Sequence, residues 1–136
     1  MACVRHEIVI DAPPEHVWDV LRDVDAVHER LLPGRVAGSR IEGGQRFLTF
    51  PDGHVIRELI VAVDDGTRRL AYSVVEGARP PAEYHHASFE VRPEGGRASR
   101  LIWTTDVLPH ALADGIRIRM ERGAVEMKQA IEAAAP

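Results

Sequence analysis

The sequence predicts an α+β fold in which a seven-stranded antiparallel sheet is wrapped around one long C-terminal helix. Six strand-like segments between residues 35 and 108 are separated by turns rich in Gly, Pro and Asp. A further strand-like segment and two short helical segments precede them, and a helical stretch of roughly 20 residues ends the chain. A sheet and a helix of this kind must bury their apolar faces against each other.

The first strand and the two short helices are predicted within the first 34 residues. "CVRHEIVIDA" alternates between apolar and charged residues, as expected of a strand with one buried face. "APPEHVWDVLRDVD" opens with prolines that suit a first helical turn, and Val17, Trp18 and Leu21 then form an apolar stripe. "DAVHERLLPG" predicts a second short helix that ends at Pro33 and Gly34.

The middle of the chain predicts an antiparallel meander. Gly, Pro or Asp lies at every boundary between its strands, and these residues supply turn geometry. The links are short, so consecutive strands are expected to pair. The six segments are "RVAGSRIE", "QRFLTF", "HVIRELIVAV", "RRLAYSVVE", "EYHHASFEV" and "ASRLIWTTDVL".

The last segment, "HALADGIRIRMERGAVEMKQAIEAA", predicts the long helix. Apolar or small residues recur at three- and four-residue spacing, so one face of the helix is apolar. Gly115 and Gly123 lie within it, either tolerated at a cost of about 1 kcal/mol each or placed where the helix approaches another element closely. The residues of the apolar face are Leu112, Ile116, Met120, Gly123, Met127 and Ile131.

Composition excludes several classes of protein. The 136 residues, 45% hydrophobic and 28% charged, are expected to form one soluble domain, residues 1–136. The net charge of −4, without runs of like charge, argues against nucleic acid or an anionic membrane as partner. The single Cys3 excludes an internal disulfide and metal-type cysteine spacing. No stretch suits a membrane span or a secretion signal, so we expect a cytoplasmic protein without stable membrane insertion.

Four motifs together resemble the START/Bet v1-like (SRPBCC) superfamily, and in particular its polyketide cyclase/dehydrase-like branch. They are "IVIDAPPEHVWDVLRDVD", "LLPG", "RELIVAVDDGTRRLAYSVVEG" and "SRLIWTTDV", and the resemblance covers essentially the whole chain. It implies a helix-grip fold with a cavity between the sheet and the C-terminal helix. Leu31 stands where the family often has an aromatic residue, and aromatic residues are only 5% of the chain, which disfavours a cyclase for flat aromatic polyketides.

A comparison with plant abscisic-acid receptors, which share this fold, implies which side chains face the cavity. The resemblance places His86 inward beside Tyr84 and turns His85 to solvent. It also implies that Pro51–Gly53 and Arg79–Pro81 rim the mouth of the cavity. The remaining inward positions that it implies are Glu58, Tyr72, Val74, Leu112, Ile116 and Met120.

The period-two pattern of strands extends this set of inward residues. His54, Ile56, Glu58 and Ile60 share one face of their strand. On the last strand, Thr104, Asp106 and Leu108 are expected to point inward, with Trp103 on the opposite face.

We therefore predict a protein that binds a hydrophobic or amphipathic small molecule, lipid-like or polyketide-like, in this cavity. We expect no cofactor and no metal site, and the sequence leaves the oligomeric state open, with a homodimer among the alternatives. The predicted ligand-binding residues are Ile56, Glu58, Ile60, Leu70, Tyr72, Val74, Tyr84, His86, Thr104, Asp106, Leu108, Leu112, Ile116 and Met120.

Two alternatives stay open at this point. The first is a cyclase or dehydratase in which His86 or Glu58 removes a proton and Tyr84 donates to a carbonyl oxygen, with Asp106 as a further catalytic candidate. The second is a protein-interaction module, which would have a small, filled cavity and an exposed apolar patch.

Overall fold

The computed structural model describes residues 2–136 and contains a seven-stranded sheet, two α-helices and two short helical turns. A π-helical turn (Val27–Leu31) stands where the second short helix is predicted, and a 3₁₀ turn (His110–Leu112) leads into the last helix. The other elements are β1 (Ala2–Ile10), α1 (Pro14–Arg22), β2 (Gly38–Glu42), β3 (Gln45–Thr49), β4 (Val55–Asp64), β5 (Arg69–Glu76), β6 (Tyr84–Glu94), β7 (Ala98–Leu108) and α2 (Ala113–Ala133).

The strands lie in the order β1-β7-β6-β5-β4-β3-β2, and every neighbouring pair is antiparallel. The predicted meander from β2 to β7 is therefore confirmed, and β1 adds to its end beside β7. Register shifts in the β4–β5 pair, between Arg57 and Glu58 and between Ile60 and Ala62, bend β4 locally.

Paired residues identify the two faces of the sheet. Val4, Thr105, Ala87 and Tyr72 form one row across four strands, and all are buried. The adjacent row contains Cys3, Asp106, His86 and Ser73, and both Cys3 and Asp106 are exposed. Since successive side chains alternate between faces, the first row lies on the inner face and the second on the outer face.

The hydrophobic core lies between the inner face of the sheet, α1 and the C-terminal half of α2. Val17 and Leu21 of α1 and Met127 and Ile131 of α2 are buried against residues such as Leu101. Each such side chain contributes roughly 1.5–3 kcal/mol by leaving water. The inner face of the sheet is thus filled at this end of the molecule.

Polar contacts fix the C-terminal half of α2 to β1 and α1. Lys128 Nζ donates to the carbonyl of Val9, and the backbone N–H of Asp11 donates to Glu132 Oε2, at 2.8 and 2.7 Å. His16 Nε2 lies 3.0 Å from the carbonyl oxygen of Ile131. These bonds hold the end of α2 in register with the first strand.

Candidate ligand-binding site

The two halves of α2 meet the sheet differently. In the C-terminal half Met120, Ala124, Met127 and Ile131 are buried. A Cβ atom added to Gly123 would lie 3.2 Å from the Trp103 ring, so this glycine permits close approach of helix and sheet. No residue between positions 113 and 119 is buried, and this N-terminal half stands over a cavity.

The cavity has a volume of about 180 Å³ and mostly apolar walls. Its floor comes from Ile56 of β4 and Val74 of β5, and its roof from the start of α2. The loop between β5 and β6 closes one side. The apolar and glycine residues of the wall are Ile56, Val74, Ala78, Pro80, Ala82, Ala111, Leu112, Gly115 and Ile116.

His85 is the polar residue of β6 in this wall. Its Nδ1 atom is buried and has no hydrogen-bond partner among residues 2–136. Burial lowers the pKa of His85, and the charges of His86 and Arg119 act in the same direction. The imidazole is therefore neutral at pH 7, with a ring nitrogen available to a bound molecule.

Two arginines complete the wall at the mouth of the cavity. Arg79 comes from the β5–β6 loop and Arg119 from α2. Arg79 Nη1 donates to Asp52 Oδ2 at 3.1 Å, which joins the β5–β6 loop to the β3–β4 turn, and this bond holds the pKa of Asp52 below its usual range. His54 Nε2, 2.6 Å from the carbonyl oxygen of Gly77, connects the same two segments.

A buried ion pair fills the interior beside the cavity. Arg46 Nε donates to Glu58 Oε1 at 2.8 Å, and the guanidinium lies 5.5 Å from the centre of the Tyr72 ring. Burial raises the pKa of Glu58, and the Arg46 charge opposes that rise. Burial also raises the pKa of Tyr72.

Aromatic side chains occupy the space under Gly123. The ring centre of Phe89 lies 6.1 Å from that of Tyr72 and 4.8 Å from that of Trp103.

The family model described as "Polyketide cyclase / dehydrase and lipid transport" matches residues 1–133. The chain belongs to this family. The predicted membership of the START/Bet v1-like (SRPBCC) superfamily is thereby confirmed. No curated protein sequence matches the chain significantly.

Solved structures similar to this polyketide cyclase/dehydrase family member agree on the fold. The protein XoxI from Bacillus cereus superposes with a TM-score of 0.81 at 23% identity, over 98% of this chain and 95% of its own. Norcoclaurine synthase from Thalictrum flavum, in complex with dopamine and hydroxybenzaldehyde, gives 0.75 at 22% identity, over 97% and 84%. The helix-grip fold, a ligand-binding fold, is confirmed.

The predicted orientation of five site residues in this family member is wrong. Tyr84 is 49% exposed, and it stacks beside His86 on the outer face, with ring centres 6.5 Å apart. Thr104, Asp106 and Leu108 also lie on the outer face, and Trp103 points inward. His85, not His86, is the inward histidine.

The error arises because the odd-numbered residues of β6 and β7, not the even-numbered ones, point inward. Ala87, Phe89 and Val91 are buried, so the inward positions of β6 are odd-numbered and include His85. This alternation of apolar residues with Ser88, Glu90 and Arg92 is present in the sequence and was the available signal. Ala87 pairs with Thr105, so the odd-numbered residues of β7 also point inward, and Leu101 and Val107 are buried.

The other predicted site residues divide among the cavity wall, the buried ion pair and the core. Ile56, Val74, Leu112 and Ile116 line the cavity. Glu58 is held in the buried pair with Arg46. The remaining four, Ile60, Leu70, Tyr72 and Met120, are buried or packed against the core and do not line the cavity.

The structure therefore does not bring together the proposed acid–base set of His86, Tyr84, Glu58 and Asp106. Glu58 lies inside and the other three outside. Within residues 2–136 no group of three or more His, Cys, Asp or Glu side chains is arranged to hold a metal ion. In the same part of the chain no helix has the length and apolar character needed to span a membrane.

Proposed function

We propose that this protein binds an apolar or amphipathic small molecule between strands β4–β6 and the N-terminal half of α2. The observation that carries the proposal is the apolar cavity with an inward imidazole whose Nδ1 atom has no partner within residues 2–136. Binding sites of small molecules are typically apolar clefts with a few polar groups that orient the ligand. His85 is the orienting group in this proposal.

The size of the cavity limits the ligand. Its 180 Å³ lies below the roughly 300 Å³ at which drug-sized sites begin. A dry apolar cavity of about 150 Å³ is nevertheless large enough for benzene. We therefore propose that one aromatic ring or a short alkyl chain enters the cavity, while the rest of the ligand lies at the mouth.

The arrangement favours binding over catalysis. Acid–base chemistry at one substrate needs two groups that exchange protons within reach of it. In the wall formed by residues 2–136, the ionisable side chains are His85, Arg79 and Arg119, and arginine keeps its proton in proteins. Glu58 is engaged by Arg46 and does not line the cavity. A lone neutral histidine is suited to orient a ligand.

Native mass spectrometry of the protein purified from the cells that make it tests this proposal. We expect a retained small molecule in the wild type and its loss in Gly115→Leu, because a Cβ at Gly115 meets no atom within 4 Å and the leucine fills the cavity. Glu121→Leu places the same side chain at an exposed position of α2 and should retain the molecule. Equal retention by the Gly115→Leu variant would contradict the proposal.

The protein-interaction alternative is kept as a second candidate because of the outer face of the sheet. Val55, Leu59 and Val61 of β4 and Val75 of β5 are all exposed, Val61 at 56%. Exposed apolar groups of this kind mark interaction surfaces. The simplest partner is a second copy of the chain. Sedimentation velocity over a concentration series should then show a dimer that Val61→Lys abolishes, and a monomer throughout would remove this candidate.

A further inference from the structure

A cluster of arginines adjoins the apolar cavity. A surface depression of about 300 Å³ is lined by Arg35, Arg79, Arg119 and Arg122, together with Phe50 and Ile56. Arg79, Arg119 and Ile56 also line the cavity, so depression and cavity share a wall. We refer to this depression as the arginine mouth.

Only part of the positive charge in the arginine mouth is neutralised. Arg35 forms a bidentate salt bridge with Glu126, in which Nε and Nη2 donate to Oε1 and Oε2 at 3.0 and 2.6 Å. Arg79 forms a salt bridge with Asp52. Arg119 and Arg122 form no salt bridge within residues 2–136, although, besides the Arg35 hydrogen bonds, the charge of Arg122 helps to lower the pKa of Glu126. They are three positions apart on α2, so they lie on the same side of the helix.

The arginine mouth is positively charged, whereas the protein as a whole is negatively charged. The chain as a whole carries a net charge of −4. Most other exposed arginines are matched by a neighbouring carboxylate, as Arg22 is by Asp65 and Arg100 by Glu94. An excess of positive charge in a depression that shares a wall with the apolar cavity attracts anions to that depression.

We propose that the ligand is an amphipathic oxyanion, with an apolar group in the cavity and a carboxylate or phosphate group in the arginine mouth. This inference rests on the proposed function. The planar guanidinium presents paired N–H donors that match both oxyanions. Arg119 and Arg122, which form no salt bridge within residues 2–136, are the donors for the head group, while His85 faces the apolar part of the ligand at the cavity wall.

Calorimetric titration of the full chain with two matched probes tests the inference. Hydrocinnamate carries one aromatic ring on a short chain that ends in a carboxylate, and hydrocinnamyl alcohol replaces the carboxylate by a neutral hydroxyl. We expect the acid to bind about tenfold or more tightly than the alcohol, and added salt to reduce that difference. Equal affinity for the two probes would overturn the inference and leave the cavity proposal standing.

Substitutions separate the head group from the apolar group. Arg119→Gln combined with Arg122→Gln should weaken hydrocinnamate binding about tenfold and leave the alcohol unchanged. Arg97→Gln combined with Arg117→Gln removes the same two charges from exposed sites outside the mouth and should change affinity less than about twofold.

The two proposals fail in different ways. If the double arginine variant binds the acid like the wild type while Gly115→Leu abolishes binding of both probes, the arginine mouth is not the head-group site and the cavity proposal survives. If Gly115→Leu binds both probes like the wild type, or neither probe binds the wild type, both proposals are overturned.

Discussion

The C-terminal half of α2 packs closely on the sheet, whereas its N-terminal half roofs a cavity. Both halves belong to one apolar face, and that face continues without a break from Leu112 to Ile131 in the sequence. The difference comes from what lies beneath the helix. Under Gly123 the sheet presents Trp103, while Ile116 shares its cavity wall with small side chains such as Ala78 and Ala82. An apolar helical stripe therefore covers either a core or a site, depending on the volume of the facing side chains.

The largest expected effect concerns the buried ion pair on the packed side. Glu58→Ala leaves the Arg46 guanidinium charged, buried and unpaired, so we expect the free energy of unfolding to fall by about 3–5 kcal/mol. Urea denaturation measures this loss. Arg46→Met combined with Glu58→Leu removes both charges and should recover most of the stability. A loss below about 1 kcal/mol in Glu58→Ala would mean that water reaches the pair.

Truncating one residue in each half of α2 tests the comparison directly. Met127→Ala opens a hole in the packed half and should cost about 2–5 kcal/mol. Ile116→Ala shortens a side chain that is only partly buried at the cavity wall, so less apolar surface is lost from the interior and the cost should stay below about 1 kcal/mol while ligand affinity changes. Thermal or urea unfolding of the two variants gives both numbers. Equal losses would show that the two halves are packed alike.

The two glycines of α2 give a smaller test of how closely each half of the helix approaches the sheet. Gly115→Ala places a methyl group in open space and should stabilise the protein by up to about 1 kcal/mol through helix propensity. In Gly123→Ala the new Cβ meets the Trp103 ring at 3.2 and 3.3 Å, so this gain is offset by displacement of the indole. Unfolding midpoints of the two variants should differ in this order. A larger gain at Gly123 would contradict the close approach described here.

The smallest expected effect is the pH dependence that His85 contributes. Because burial lowers its pKa in the folded protein, the unfolded chain binds more protons just below the unperturbed pKa of about 6.5. The stability contributed by the neutral imidazole is present above that pH and is lost as pH falls through the lowered value. His85→Asn should therefore lose less stability than the wild type between about pH 7 and pH 5. Identical pH profiles would place His85 in water.

The fold was predictable because its signals are local. Each strand boundary carries Gly, Pro or Asp, and the apolar positions of α2 recur with helical spacing. The orientation of β6 was mispredicted by one residue because its inward positions were transferred from a resemblance. The alternation of Ala87, Phe89 and Val91 within the strand gives the correct face.

The cavity itself was only partly predictable. Ile56 and Val74 follow from strand alternation, and Leu112 and Ile116 from helical spacing. Its volume depends on side chains that meet across the fold, and neither the Arg79–Asp52 bond nor the Arg46–Glu58 pair has a periodic signal. The arginine mouth combines residues of two connecting segments, Arg35 and Arg79, with residues of α2, so no single segment contains it.

Xenon binding in a crystal tests most directly whether α2 covers a cavity with its N-terminal half and a filled core with its C-terminal half. Xenon occupies dry apolar cavities of this size. We expect one xenon site bounded by Ile56, Val74 and Ile116, absent in Gly115→Leu crystals, and no site beneath Gly123. Xenon beside Trp103, or none between β4–β6 and the start of α2, would contradict this expectation.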